Sequence, residues 1–268
     1  MGKTCFFILG SGRMGSTFLY NVLKEHPKVA LTNEARIVDT IHLAYQAVMT
    51  PYGESSEHGF QGLIHKDVQP GFVPIFLRHM REAVAEYYAD TFGADKTHWG
   101  DKLAGVAAAA EAGRIWPDTR HVVLVRDPRD VVCSYLNMQK IDDPTILGPR
   151  WEEFMGMTGE GFARQWAETY DEILRLVPDH ILVRYETLMA EPDAAVAAVL
   201  EHLGLEPDPA VDAAIRDGRS TEGHGTSATH EASVARWKRD LSDDEAAEIM
   251  SICGPVAAQL GLTSTSDN

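Results

Sequence analysis

Basic residues are scarce in this chain. Lys and Arg together number 24 against 40 Asp and Glu, which leaves a net charge of -16 over 268 residues. Such a field disfavours nucleic acid and anionic membrane surfaces as partners, so any polyanionic ligand must be held by a local cluster of cations. Cysteine is scarcer still, with only Cys5, Cys133 and Cys253. An odd, widely spaced set is neither a disulfide framework nor a metal signature. Cys5 falls in a strand pattern and the other two in helical patterns, which predicts three buried free thiols. No apolar run reaches the length of a membrane span, and the one near the start is too short for a signal peptide. The expected location is cytoplasmic. No internal repeat is present, no linker separates two cores, and no ligand cluster has metal spacing, so no metal is expected.

What is present is enough apolar sequence, 44%, to build a large core, with an ordinary 24% of charged residues. Strand patterns at 5–9, 29–32, 98–102, 121–125 and 180–185 alternate with helical patterns. The helices are expected from residue 16 and over 36–49, 72–92, 104–114, 128–138, 161–177, 191–204, 208–217 and 242–260. Asp127 is a suitable N-cap with Pro128 at the first helical position, and Gly204 is a suitable C-cap. The alternation predicts one α/β domain over residues 1–262, a parallel sheet covered by helices on both faces, with a frayed tail at 263–268. Residues 50–70 read as a long loop, 139–158 as an irregular flap carrying methionines, and 218–230 as a polar loop.

The stretch around which the chain is organised is Gly10-Ser11-Gly12-Arg13-Met14-Gly15-Ser16-Thr17, between the first strand and the first helix. Three glycines permit a tight turn and close approach of a ligand to the backbone, and amides at a helix N-terminus make an anion site. The spacing nearly fits the phosphate loop of nucleoside triphosphatases, but Ser16 stands where that loop has its lysine, and Arg13 is the only cation. Ordinary ATP or GTP hydrolysis is therefore disfavoured. A second stretch follows the strand at 121–125. Arg126 ends that strand, and Ser134 lies on the second turn of the next helix. A guanidinium fork with a hydroxyl suits a terminal phosphate, although a surface salt bridge for Arg126 and a backbone bond for Ser134 would also account for the pair.

Together these stretches resemble the sulfotransferase family that uses 3′-phosphoadenosine 5′-phosphosulfate (PAPS), and most closely its bacterial and tyrosylprotein-type branch. Arg13-Met14-Gly15-Ser16-Thr17 is similar to the family's phosphosulfate loop, with Met14 in place of a serine or threonine. Arg126-Asp127-Pro128-Arg129-Asp130, ending in Ser134, is similar to its 3′-phosphate motif. Trp99-Gly100-Asp101-Lys102, Arg184-Tyr185-Glu186-Thr187-Leu188 and Ser233-Val234-Ala235-Arg236-Trp237-Lys238 match three further elements in the family's order. The resemblance implies a P-loop-like, sulfotransferase-type fold. It also implies in-line transfer of a sulfuryl group from PAPS, leaving PAP, to a hydroxyl or amine of a small-molecule, lipid or peptide acceptor.

By the same resemblance, Gly12, Arg13, Met14, Gly15, Ser16 and Thr17 hold the 5′-phosphosulfate, and Arg126 and Ser134 hold the 3′-phosphate. Arg13 meets charge on the leaving phosphate, with Lys102 assisting on the sulfuryl oxygens. Tyr185 or Phe18 contacts adenine, a core position being the stronger expectation for Phe18. Arg236 either closes over the cofactor or is a surface cation. Glu34, after the second strand, is the first choice of general base, the alternative being an ion pair with Arg36 or Arg13, and His65 in the long loop is the second choice. Residues 50–70 and 139–158 are expected to shape the acceptor pocket. Two other readings share the first loop: a P-loop kinase of a small metabolite, and a non-catalytic nucleotide-binding module.

Overall fold

The first strand, β1 (Thr4–Leu9), carries five apolar side chains without measurable exposure, Cys5 to Leu9. Successive side chains leave opposite faces of a strand. Cys5, Phe7 and Leu9 enter one apolar core, and Phe6 and Ile8 enter another. A strand apolar on both faces must lie in the middle of a covered sheet. The computed structural model, which describes residues 4–56, 59, 61–103, 105–141, 151–217 and 231–262, has β1 at the centre of five strands.

The chain leaves β1 through α1 (Ser16–Leu23) and passes β2 (Val29–Asn33), α2 (Ile37–Met49) and α3 (Gln69–Phe92) before β3 (His98–Lys102). It continues through α4 (Val106–Ile115), β4 (Arg120–Val125), α5 (Pro128–Met138), α6 (Trp151–Met155) and α7 (Gly159–Leu176) to β5 (Ile181–Arg184). Then come α8 (Tyr185–Ala190), α9 (Pro192–Leu203), α10 (Pro209–Asp217), a 3₁₀ turn (Glu231–Ser233), α11 (Trp237–Asp240) and α12 (Asp243–Gln259). The spatial order is β2-β3-β1-β4-β5, with every pair parallel. The fold is therefore α/β with a parallel sheet, and every strand ends at one edge. The chain fills one side of β1 with β2 and β3, then crosses to the other side with β4, so the end of β1 is the topological switch point where open sheets of this type bind ligands.

The alternation continues in β4, where Val123 and Val125 join the core on one face and Val122 and Leu124 the core on the other. The first core includes residues of α2, α4, α5, α7 and α12, and the second residues of α1, α9 and α10. Asp127 caps α5 by accepting the Arg129 amide, and Gly204 closes α9 in a left-handed conformation. All three cysteines are buried free thiols.

Some expectations are corrected. Residues 151–155 form a helix within the stretch expected to be irregular, because Phe154 packs among Tyr135, Trp151 and Phe162. The fifth strand stops at Arg184, and Tyr185 opens a helix. The helix expected over 72–92 begins at Gln69 as α3, in which only Val84 and Tyr88 are buried and the N-terminal half runs largely exposed. The segment after α2 is pinned by isolated bridges, Pro51 to Ile64 and Tyr52 to Gly62. The expected loop at 218–230 and tail at 263–268 lie outside the described residues. Among the described residues, no helix is long and apolar enough to cross a membrane.

Away from the switch point, histidines tie the start of the sheet to its helices. His98 Nε2 meets the Leu203 carbonyl at 3.0 Å, and His121 Nε2 meets the Ala109 carbonyl at 3.0 Å. Burial holds the pKa of His98, His121 and His202 below the usual histidine value. The unfolded chain then binds more protons below about pH 6.5, so this stability is complete above that pH and is lost as pH falls toward the folded pKa. His98→Gln keeps an N–H for Leu203 but does not titrate. At pH 7.5 it should cost about 1 kcal/mol. In thermal melts the gap to the wild type should narrow by pH 5.5, and an equal gap at both pH values would contradict this account.

Candidate active site

All five strand ends contribute side chains or turns to one edge. After β1, the loop Gly10–Gly15 has little freedom in its residue types. A Cβ on Gly12 would lie 2.0 Å from the Tyr135 hydroxyl, and one on Gly15, at φ 90°, would lie 2.5 Å from the Tyr185 ring. The loop is thus packed under two tyrosines, and glycine is what lets them approach. Met14 is fully buried and points into the core beside the Tyr170 hydroxyl, its Sδ 3.8 Å away. Tyr170 in turn donates to the Leu124 carbonyl at 2.6 Å and accepts from the Ser11 amide at 3.4 Å. Met14 therefore anchors the loop. Burying such a side chain is worth about 1.5–3 kcal/mol.

Arg13 stands above that anchor with φ 66°. Its Nε donates to Ser134 Oγ at 3.0 Å, which joins the loop to α5. Burial lowers the Arg13 pKa, and the nearby charges of Arg126 and Arg236 lower it further. Three guanidinium groups thus converge in a chain that is acidic overall. Arg126, 4% exposed, donates to the Arg13 carbonyl at 3.0 Å and to the Ser233 carbonyl. Its guanidinium lies over the Tyr185 ring, 4.4 Å from the centroid. Its Nε is buried and has no hydrogen-bond partner among the described residues. A buried donor left unmatched costs about 1–3 kcal/mol, and it is an opening for an anion.

The C-terminal segment is stapled across this arginine. Asp130, 1% exposed, accepts the Ala235 amide at 2.8 Å and the Trp237 amide at 3.0 Å. Burial raises its carboxyl to about 6, against the opposing pull of Arg126. Tyr185 Oη lies 2.6 Å from Ser233 Oγ, and Arg129 stacks on the Trp237 ring at 3.7 Å. Burial raises the Tyr185 pKa. Arg236 is held by Asp240, with bonds of 2.9 and 2.7 Å to one carboxylate oxygen. Glu186 accepts the Asp127 amide at 3.0 Å and so fixes the start of α5 against α8.

On the other side of the loop, Lys102 at the end of β3 is 4% exposed and pairs with Glu34 at 3.2 Å. The lysine and the glutamate singled out by sequence are thus brought together, and Glu34 pairs with Lys102, not with Arg36 or Arg13. Arg36 pairs with Asp39. His65 is exposed against Asp67, and none of its hydrogen bonds reaches the glycine loop, Lys102 or Glu34. Ser16 is buried at the start of α1, Thr17 is exposed, and Phe18 lies in the apolar core with Phe6 and Ile8.

Sequence reasoning missed the residues that shape this edge without facing a ligand: Asp101, Tyr135 and Tyr170, and the bracing role of Asp130. It also could not register backbone strain. Arg13, Glu34, Arg36, Leu103 and Ala235 have positive φ, and they are the only non-glycine residues among those described that do. All five lie in the turns that follow β1, β2 and β3 or in the C-terminal segment clamped by Asp130. Each such conformation costs of order 1–3 kcal/mol and persists only where its surroundings hold it, which is typical of functional sites.

In structure the chain resembles the sulfotransferase domain from the curacin biosynthetic pathway, with a TM-score of 0.55 and 16% identity over 97% of this chain and 98% of that one. It also resembles mouse sulfotransferase SULT7A1 complexed with PAP, with a TM-score of 0.53 and 11% identity over 98% and 89%. A sulfotransferase from Alicyclobacillus acidocaldarius gives a TM-score of 0.51 and 14% identity over 100% and 98%. At these identities the likeness concerns the fold. No curated protein matches the sequence. The model of the sulfotransferase family matches residues 6–209, from β1 to the first residue of α10, and the chain belongs to that family.

Proposed function

We propose that this sulfotransferase takes its sulfuryl group from PAPS and passes it, by in-line displacement, to a hydroxyl or amine of a small-molecule, lipid or peptide acceptor. The observation that carries the donor assignment is the Nε of Arg126, buried and without a hydrogen-bond partner among the described residues, on a guanidinium that bonds the carbonyl of Arg13, which in turn bonds Ser134, at the end of β4 where a magnesium-binding kinase would need a carboxylate. The glycine loop and the convergence of Arg13, Arg126 and Arg236 fit a ligand with phosphates at two positions. The neighbour solved with PAP has the same fold, which adds support.

In this reading Arg126 and Ser134 hold the 3′-phosphate, and Gly12, Gly15, Ser16 and Thr17 hold the 5′ end. Tyr185 and Arg236 bound the nucleotide from the side of the C-terminal segment, and Phe18 stays in the core. Bound there, PAPS supplies a sulfuryl group with an adenosine phosphate as its leaving group. Arg13 meets the negative charge that builds on the leaving side, and Lys102 meets that on the sulfuryl oxygens, which is catalysis by positioning and charge. Glu34 takes the acceptor's proton. Its ion pair with Lys102 sets the base and the cation side by side.

Ser134→Ala should weaken PAP binding in calorimetry by about 1.5–3 kcal/mol. Adenosine 5′-phosphosulfate, which lacks the 3′-phosphate, should lose much less. Equal losses, or wild-type protein that prefers ATP-Mg and does not bind PAP, would overturn the donor assignment. Glu34→Gln should leave PAP affinity unchanged while transfer falls by about 10²–10⁴-fold. His65→Ala, measured in parallel, should retain transfer. If Glu34→Gln retains it instead, the base is another group.

A further inference from the structure

Asp101 belongs to no proposed contact with donor or acceptor, yet it is 2% exposed and lies on β3 between β2 and β1. A carboxylate this deep must find donors. Its donors come from the end of β2 and the turn that follows it. Thr32 Oγ1 donates to Oδ1 at 2.8 Å, the Ala35 amide to Oδ1 at 3.2 Å and the Arg36 amide to Oδ2 at 2.9 Å. Thr32 is itself braced by the Tyr88 hydroxyl, which lies 2.9 Å from Thr32 Oγ1 and 3.0 Å from the Gly100 carbonyl.

The turn so gripped is the one that bears Glu34. Both Glu34, at φ 57°, and Arg36, at φ 54°, are left-handed without being glycine. The next residue along β3 after Asp101 is Lys102, whose carbonyl accepts the Glu34 amide at 3.1 Å and whose ammonium meets the Glu34 carboxylate at 3.2 Å. Two consecutive residues of one strand therefore hold the turn by its backbone and the glutamate by its side chain.

We propose that Asp101 is a positioning residue: its carboxylate locks the Glu34–Arg36 turn in its left-handed form and thereby places Glu34 against Lys102. The catalytic consequence rests on the reading of Glu34 as the proton acceptor; the clamp itself does not. Asp101→Asn keeps the shape and exchanges one acceptor oxygen for a donor, so at least one bond of the turn is lost.

In the full chain, hydrogen exchange at the amides of Ala35 and Arg36 should accelerate by about tenfold or more in Asp101→Asn. PAP affinity, read by calorimetry, should stay within about twofold, because the phosphate-binding elements lie on other strands. Transfer from PAPS to 4-nitrophenol, dodecanol or a tyrosine peptide should drop in kcat by about ten- to a hundredfold with the donor KM unchanged. Adding Arg36→Gly, which makes the left-handed backbone easy to adopt, should restore part of that kcat; a purely structural role for Asp101 would show no such rescue. Unchanged exchange at Ala35 and Arg36 overturns the proposal. Accelerated exchange, with Glu34→Gln still active, keeps the clamp and rejects Glu34 as base. If Asp101→Asn does not fold, Thr32→Val reads the same two amides with a milder loss, and unchanged exchange there is equally decisive.

Discussion

One buried guanidinium organises the functional edge. Arg126 leaves the end of β4 and bonds the carbonyl of Arg13 in the glycine loop and that of Ser233 in the C-terminal segment, with its guanidinium over the ring of Tyr185. Three segments distant in sequence are thereby fixed to one side chain. Its nearest carboxylate among the described residues, Asp130, stands 3.9 Å away and accepts the amides of Ala235 and Trp237. Removing one member of a buried pair of this kind costs about 3–5 kcal/mol, mostly because the other is left without compensation. Among the described residues, Arg126 Nε has no hydrogen-bond partner. A cation tied up by carboxylates would have little left for a phosphate, whereas one tied to carbonyls keeps its charge.

That division of labour recurs. In an acidic chain the clustered arginines could be neutralised by the surplus of Asp and Glu, yet several carboxylates at this edge accept backbone amides. Asp101 takes those of Ala35 and Arg36, Asp130 those of Ala235 and Trp237, and Glu186 that of Asp127. Asp101 and Asp130 hold segments that carry left-handed residues, where the backbone would otherwise relax. Strain and its compensation thus lie together, and the ligand-facing side chains are set by residues that need not touch a ligand.

Much of this was legible in the sequence. Cys5 to Leu9 reads as a central strand because both of its faces are apolar, His121 to Val125 reads as a strand, and Asp127-Pro128 and Gly204 mark helix ends by local chemistry alone. Local sequence singled out Arg13, Arg126 and Ser134, the family resemblance added Lys102 and Tyr185, and strand position with the resemblance pointed to Glu34; the structure sets all six residues at the same edge. Tertiary contacts decided the rest. Met14 looks like a lost hydroxyl beside the anion, and only its burial against Tyr170 identifies it as the loop's apolar anchor. Asp101 sits in a strand beside an obvious lysine, and nothing in its neighbours announces that it grips a turn on the adjacent strand. His65 stood out by residue type and loop position, neither of which reports distance to the glycine loop.

The central claim is that Arg126, Ser134 and Arg13 form a site for a nucleotide phosphorylated at the 3′ position. A crystal structure of the full chain with PAP measures this most directly. The account predicts the 3′-phosphate on Arg126 Nε and Ser134 Oγ, with the 5′-phosphate over the amides at the start of α1. PAP bound with its 3′-phosphate away from Arg126, or bound elsewhere on the chain, would contradict it.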